Sequence, residues 1–127
     1  LIQAKLIGDA ARNIVLNVRG VVDEDIPLTQ IFDMAELKAG HRYTRDYIKV
    51  SSVWWLIQEK MTLLLQWSED PEDLMFPMES RNVISFNRFV DPPDHKTWKG
   101  KIYLRSLNMA SCVGGKAHFA FCLDFDR

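Results

Sequence analysis

The chain has 127 residues, 47% apolar and 26% charged, which suits one domain with its own core and excludes a disordered segment. Sixteen basic side chains against seventeen acidic ones leave a net charge of −1, so strong nonspecific nucleic-acid binding by bulk charge alone is not expected. No apolar run approaches the length of a bilayer span, and no signal peptide is visible. The chain begins at Leu1 without methionine and stops at Asp126-Arg127; it reads as a single globular domain, residues 1–127, lacking flexible termini of a longer protein.

Residues 1–9 carry no clear pattern. From Arg12 to Gly20, RNIVLNVRG places Ile14, Leu16 and Val18 on one side of a half-buried strand. DEDIP then has the acids and early proline of a helix start. Leu28, Ile31, Phe32 and Ala35 follow at i, i+3, i+4 and i+7, and Lys38 and Gly40 close that first expected helix. After His41-Arg42-Tyr43, Thr44 is placed to cap a second helix with the stripe Tyr47, Val50, Trp54, Ile57 and Met61, broadened by Ile48 and Trp55.

MTLLLQW, residues 61–67, reads as a strand, and RNVISFNRFV, residues 81–90, as another. Asp91-Pro92-Pro93-Asp94 is a rigid connection, since proline cannot donate to a ladder. WKGKIYLRSLNM and KAHFAFCLDF form the expected closing pair around a Gly114-Gly115 turn, with Phe119, Phe121, Leu123 and Phe125 on one face. The fold class expected is α+β: an antiparallel sheet of about five strands packed with two α-helices.

Chemistry is sparse. Cys112 and Cys122 are too few for a disulfide scaffold or zinc site; the turn would pair Cys112 with Ala117 and Cys122 with Leu107, so reduced thiols and an intracellular setting are expected. Asp94-His95 beside Asp91 reads as a solvated turn rather than a metal or acid–base cluster, and His118 and Cys122 stand too far apart on a strand for a nucleophile and its base. No catalytic, cofactor-binding or metal-binding residue is assigned. Two stretches remain. Lys96, Lys99, Lys101 and Arg105 form a candidate patch for an acidic partner, unless they are an ordinary solvated sheet face or Gly100 breaks their alignment. QWSEDPEDLMFPMES sets Leu74, Met75, Phe76, Pro77 and Met78 behind four acids; these five are a candidate self-association loop, or else Phe76 and Met78 cover the core.

The order of NIVLNV, a helix ending LKAGHRY, a second apolar helix, TLLLQWSED, the ISF strand, WKGKIYLRSLNM and KAHFAFCLDF resembles the globular domain of rhabdovirus matrix proteins across most of residues 12–125. The shorter segment before the QW strand, and Pro92-Pro93 followed by Asp94-His95 instead of a Pro-Pro-x-Tyr signature, depart from the animal-virus pattern and would suit a plant- or arthropod-infecting member. The resemblance implies a viral matrix structural protein, not an enzyme, without cofactors. It would self-associate and bridge the helical ribonucleoprotein to the inner face of the envelope, supporting nucleocapsid condensation, assembly and budding. Implied partners are further copies of the chain, the viral nucleoprotein, the membrane at its periphery and the envelope glycoprotein tail, without sequence-specific nucleic acid. Implied locations are the virion beneath the envelope, the host cytoplasm and the membrane periphery. Glu69, Asp70, Glu72 and Asp73 would be repelled by anionic lipid, so their loop is expected to meet protein. The competing expectation is a small α+β ligand-binding domain or enzyme with an apolar pocket lined by the four tryptophans, its cavity near Trp54, Trp55 and Trp98.

Overall fold

Alternation of apolar and polar side chains turns most of the described residues into strands. The computed structural model describes residues 2–9, 13–36, 48–57, 61–79, 83–84, 92, 97–107 and 116–126. Its strands are β1 (Ile2–Asp9), β2 (Asn13–Val22), β3 (Thr29–Asp33), β4 (Lys49–Ile57), β5 (Thr62–Gln66), β6 (Leu74–Glu79), β7 (Val83–Ile84), β8 (Lys101–Leu107) and β9 (Ala117–Asp126). One sheet has the order β1-β2-β9-β4-β7 and the other β3-β8-β5-β6. All of the strand pairs are antiparallel.

Among the described strands, chain neighbours pair only as β1–β2 and β5–β6; the other steps move from one sheet to the other. With β1 set aside, β2-β9-β4-β7 faces β3-β8-β5-β6. That is the strand order of a jelly roll, a double sheet built from two Greek keys. The core fills the space between the sheets. Ile14, Leu16 and Val18 of β2 and Phe119, Phe121, Leu123 and Phe125 of β9 are buried from one side, Ile102, Leu104, Leu63, Leu65 and Met78 from the other. Each such side chain contributes about 1.5–3 kcal/mol by leaving water. Aromatic pairs tie the layers together: Phe32 meets Phe125 at 5.3 Å between ring centres, and Trp55 stacks on Phe76 at 6.5 Å.

The α+β expectation with two helices is overturned. Among the described residues the sole helical piece is a 3-10 turn at Met34–Glu36, held by the Ala35 N–H donating to Asp33 Oδ1. β-Bulges explain the misreading. In β3 the register slips between Gln30 and Phe32, so the neighbours Ile31 and Phe32 are both buried while Leu28 is exposed. In β4 it slips between Val50 and Ser52, and the buried set becomes Ile48, Val50, Val53, Trp55 and Ile57. A bulge inserts one residue and shifts the alternation by one, which imitates helical i, i+3 spacing. Trp54, assigned to the buried stripe, is 43% exposed.

The expected closing pair is also overturned. β8 pairs with β3 and β5, whereas β9 lies between β2 and β4 in the other sheet. Cys122 therefore sits opposite Asn17 and Trp54, not Leu107. The strands expected over 12–20 and 61–67 are present as β2 and β5, with the expected faces of β2 and β9 buried. Of the strand expected at 81–90, only Val83–Ile84 is described. Residues 37–47, including Tyr43, Thr44 and Tyr47, and the Gly114-Gly115 turn lie outside the described residues.

Candidate functional site

The LMFPM segment forms β6, an edge strand of the four-stranded sheet, and its five side chains part company. Phe76 and Met78 face Leu65 and Leu63 across the ladder and are buried, and Met75, the extra residue of a bulge, is buried as well. Leu74 and Pro77 are exposed. Proline suits an edge, where one side of the strand has no ladder to supply. The loop is thus mostly core cover, and a docking role is left to Leu74 and Pro77.

Two of the four acids, Asp70 and Asp73, shape the turn ahead of β6. Asp70 Oδ1 accepts from the Glu72 N–H at 2.9 Å, Ser68 Oγ donates to Asp73, and the Trp67 N–H donates to the Asp73 carbonyl at 2.9 Å. Gln66, fully buried, donates from Nε2 to the carbonyls of Ser68 and Asp70 at 3.1 and 3.3 Å. Carboxylates that accept backbone N–H groups stabilise a turn locally.

The basic patch is drawn into the same corner. Arg105 Nε donates to Gln66 Oε1, and Tyr103 OH donates to Glu69 at 3.4 Å. Lys99 and Lys101 share a cleft of about 310 Å³ with Glu69 and Asp70. Burial, and then Glu69, raise the Tyr103 hydroxyl above the usual phenol range. Lys99 is not on β8: Gly100 precedes the strand with φ of +79°, a left-handed backbone, and its carbonyl accepts the Met34 N–H at 2.8 Å. Lys99, Lys101 and Arg105 therefore have acids and an amide of their own chain as neighbours. Lys96 lies outside the described residues, as do His41, Asp91, Asp94, His95 and Cys112.

The tryptophans do not line a common pocket. Trp55 is core; its indole N–H donates to the Glu79 carbonyl at 2.8 Å. Trp98 meets Trp67 edge-on at 5.3 Å and donates to the Trp67 carbonyl at 2.9 Å. Trp54 points the other way, onto the outer face of the five-stranded sheet.

That outer face holds a concavity of about 880 Å³, which sequence reasoning missed. Register builds it: the row Arg19–Ala120–Leu56 lies beside the row Asn17–Cys122–Trp54, across β2, β9 and β4. Gln3 stands opposite Arg19 on β1, and His118 opposite Val21 at the groove's end. Ala120 is small and its row neighbours are large, so the middle strand forms a floor. Leu56, at 67% exposure, and Trp54 are apolar walls; Arg19, Asn17, Gln3 and His118 supply polar groups, and among the described residues no carboxylate lines the groove. A sequence signal for it existed: in a strand, the Trp54-Trp55 dipeptide must send one indole to each face.

Cys122 is half-buried beside this groove, and burial, then Asp124, push its thiol above the usual range, which disfavours a nucleophile. Among the described residues no group of three metal-ligating side chains converges, and no helix is long and apolar enough to cross a membrane. Compared with models of known families, with curated proteins and with solved structures, the chain matches none.

Proposed function

We propose that this chain is a self-associating structural protein of a virus particle, and not an enzyme. The observation that carries the proposal is the strand order, β2-β9-β4-β7 over β3-β8-β5-β6, with β1 on the edge. Jelly rolls of this kind build viral shells, and they also occur in lectins and cupins, so the argument from fold is one of analogy. What favours the structural role is the space between the sheets, where Phe32, Phe121, Phe125 and their neighbours pack as core. The net charge of −1 lets copies approach without strong repulsion. Edge strands β1 and β6 carry the exposed apolar side chains Ile7, Leu74 and Pro77, which gives a second copy both a ladder and apolar surface to meet.

The finer role, a matrix layer between ribonucleoprotein and envelope, has the support of strands β2, β5, β8 and β9 alone, because strands β3 and β4 stand where the resemblance needs its two helices. Sedimentation velocity at rising concentration and falling salt, with electron microscopy of the fast fraction, tests the proposal. Regular particles or sheets are expected; a protein that stays monomeric throughout overturns it. Co-sedimentation of the assembled fraction with nucleocapsid and with anionic vesicles tests the finer role.

A further inference from the structure

We propose that the groove on the outer face of the five-stranded sheet binds single-stranded nucleic acid without sequence preference, with Trp54 stacking on a base and Arg19 contacting the backbone phosphate. The groove needs no particular assembly and stands on its own geometry.

Three observations converge. Trp54 is 43% exposed, whereas Trp55 and Trp67 are buried, so an indole is displayed on a sheet whose other face is core. Successive bases stack on such platforms whatever their identity, because every base offers a π-face. The charged and polar lining is Arg19, His118, Asn17 and Gln3, with no carboxylate among the described lining residues, and Lys5 extends the basic row opposite Asn17. On the same face Asp124 is engaged by Ser52 Oγ at 2.7 Å.

Third, the spacing fits a strand of nucleotides. Arg19 and Trp54 are separated by β9 and by one register step of two residues. Two strand spacings and two residues along put their backbones roughly 12 Å apart. Long side chains converge over that span on a base and the phosphate of a near neighbour. A duplex would hide its base faces from Trp54.

Among the described acids, Asp124 shares this face and is held by Ser52, Asp23, Glu24 and Asp25 line a neighbouring pocket that shares Val21 with the groove, and Glu69 and Asp70 belong to the other sheet's turn. A net charge of −1 is thus compatible with a locally positive groove.

The test is fluorescence anisotropy of labelled oligo-dT of about 20 nucleotides, a length covering several nucleotide-sized sites, at protein concentrations where sedimentation shows no assembly. The expected result is binding at low salt that weakens as salt rises. Trp54→Ala should weaken it roughly 5- to 100-fold, with Trp54→Phe retaining part of the affinity. Arg19→Ala should lower the salt slope by about 0.7. Both residues are exposed, and unchanged thermal midpoints would show that the variants fold. The proposal is overturned by absence of binding at low salt, by binding that neither Trp54→Ala nor Arg19→Ala alters, or by equal affinity for a duplex of the same length. Trp54-dependent binding of a neutral oligosaccharide in place of oligo-dT would likewise overturn it.

Discussion

Gln66 shows how much one buried polar side chain can organise. It sits at the end of β5 with no exposure, accepts from Arg105 and donates twice into the 68–70 turn. Gln66→Leu keeps the volume and strands those partners, so urea unfolding should report a loss of about 2–4 kcal/mol. Cys122 makes a different prediction. Burial and then Asp124 favour its protonated form, so the folded state holds the proton at pH values where the unfolded thiol has lost it. Stability linked to this thiol is complete below the ordinary thiol range, about 8.5, and falls as pH rises through it. In a Cys112→Ser background, iodoacetamide should barely label Cys122 near neutrality and should label it faster only above that range. Fast labelling at neutral pH would contradict the burial.

Strand β4 is the element on which sequence and structure differ most. Its composition, KVSSVWWLI, is rich in β-branched and aromatic residues, a strand signal that outweighs the helical spacing produced by the bulge at Ser51. The adjacent tryptophans separate the two readings. Trp55 stacks on Phe76 and donates to Glu79, so Trp55→Ala should cost about 3–5 kcal/mol. Trp54→Ala should stay within about 0.5 kcal/mol. In the helical reading Trp54 is core, and the order of costs would reverse; thermal and urea unfolding of the two variants decides. β6 follows the same logic, since its pattern of three buried and three exposed side chains comes from pairing with β5 and one bulge.

For the molecule as a unit, the jelly-roll topology separates what is needed to fold from what is displayed. Phe76→Ser should unfold the domain, because Phe76 bridges the two sheets. Leu74→Ser, on the same strand but exposed, should leave the thermal midpoint unchanged and weaken assembly in sedimentation. Assembly of Leu74→Ser at wild-type concentration would remove β6 from the contact surface and leave β1. The placement of Lys99 and Lys101 in one cleft with Glu69 and Asp70 argues that an acidic partner would have to compete with the chain's own carboxylates there. Among the described residues, the groove on the opposite sheet has no carboxylate in its lining.

Local alternation was enough to locate β2, β5 and β9 and to choose the buried faces of β2 and β9, because a period of two leaves one reading when no bulge interrupts it. It failed at β3 and β4, where one inserted residue converts that period into helical spacing. Which strands become neighbours was not local information at all. β9 follows β8 in the chain and pairs with β2 and β4, since burying both apolar faces requires each long connection to change sheets. The groove depends on that choice: Arg19, Ala120 and Leu56 lie far apart in sequence, and only the registers of β2, β9 and β4 set them in one row.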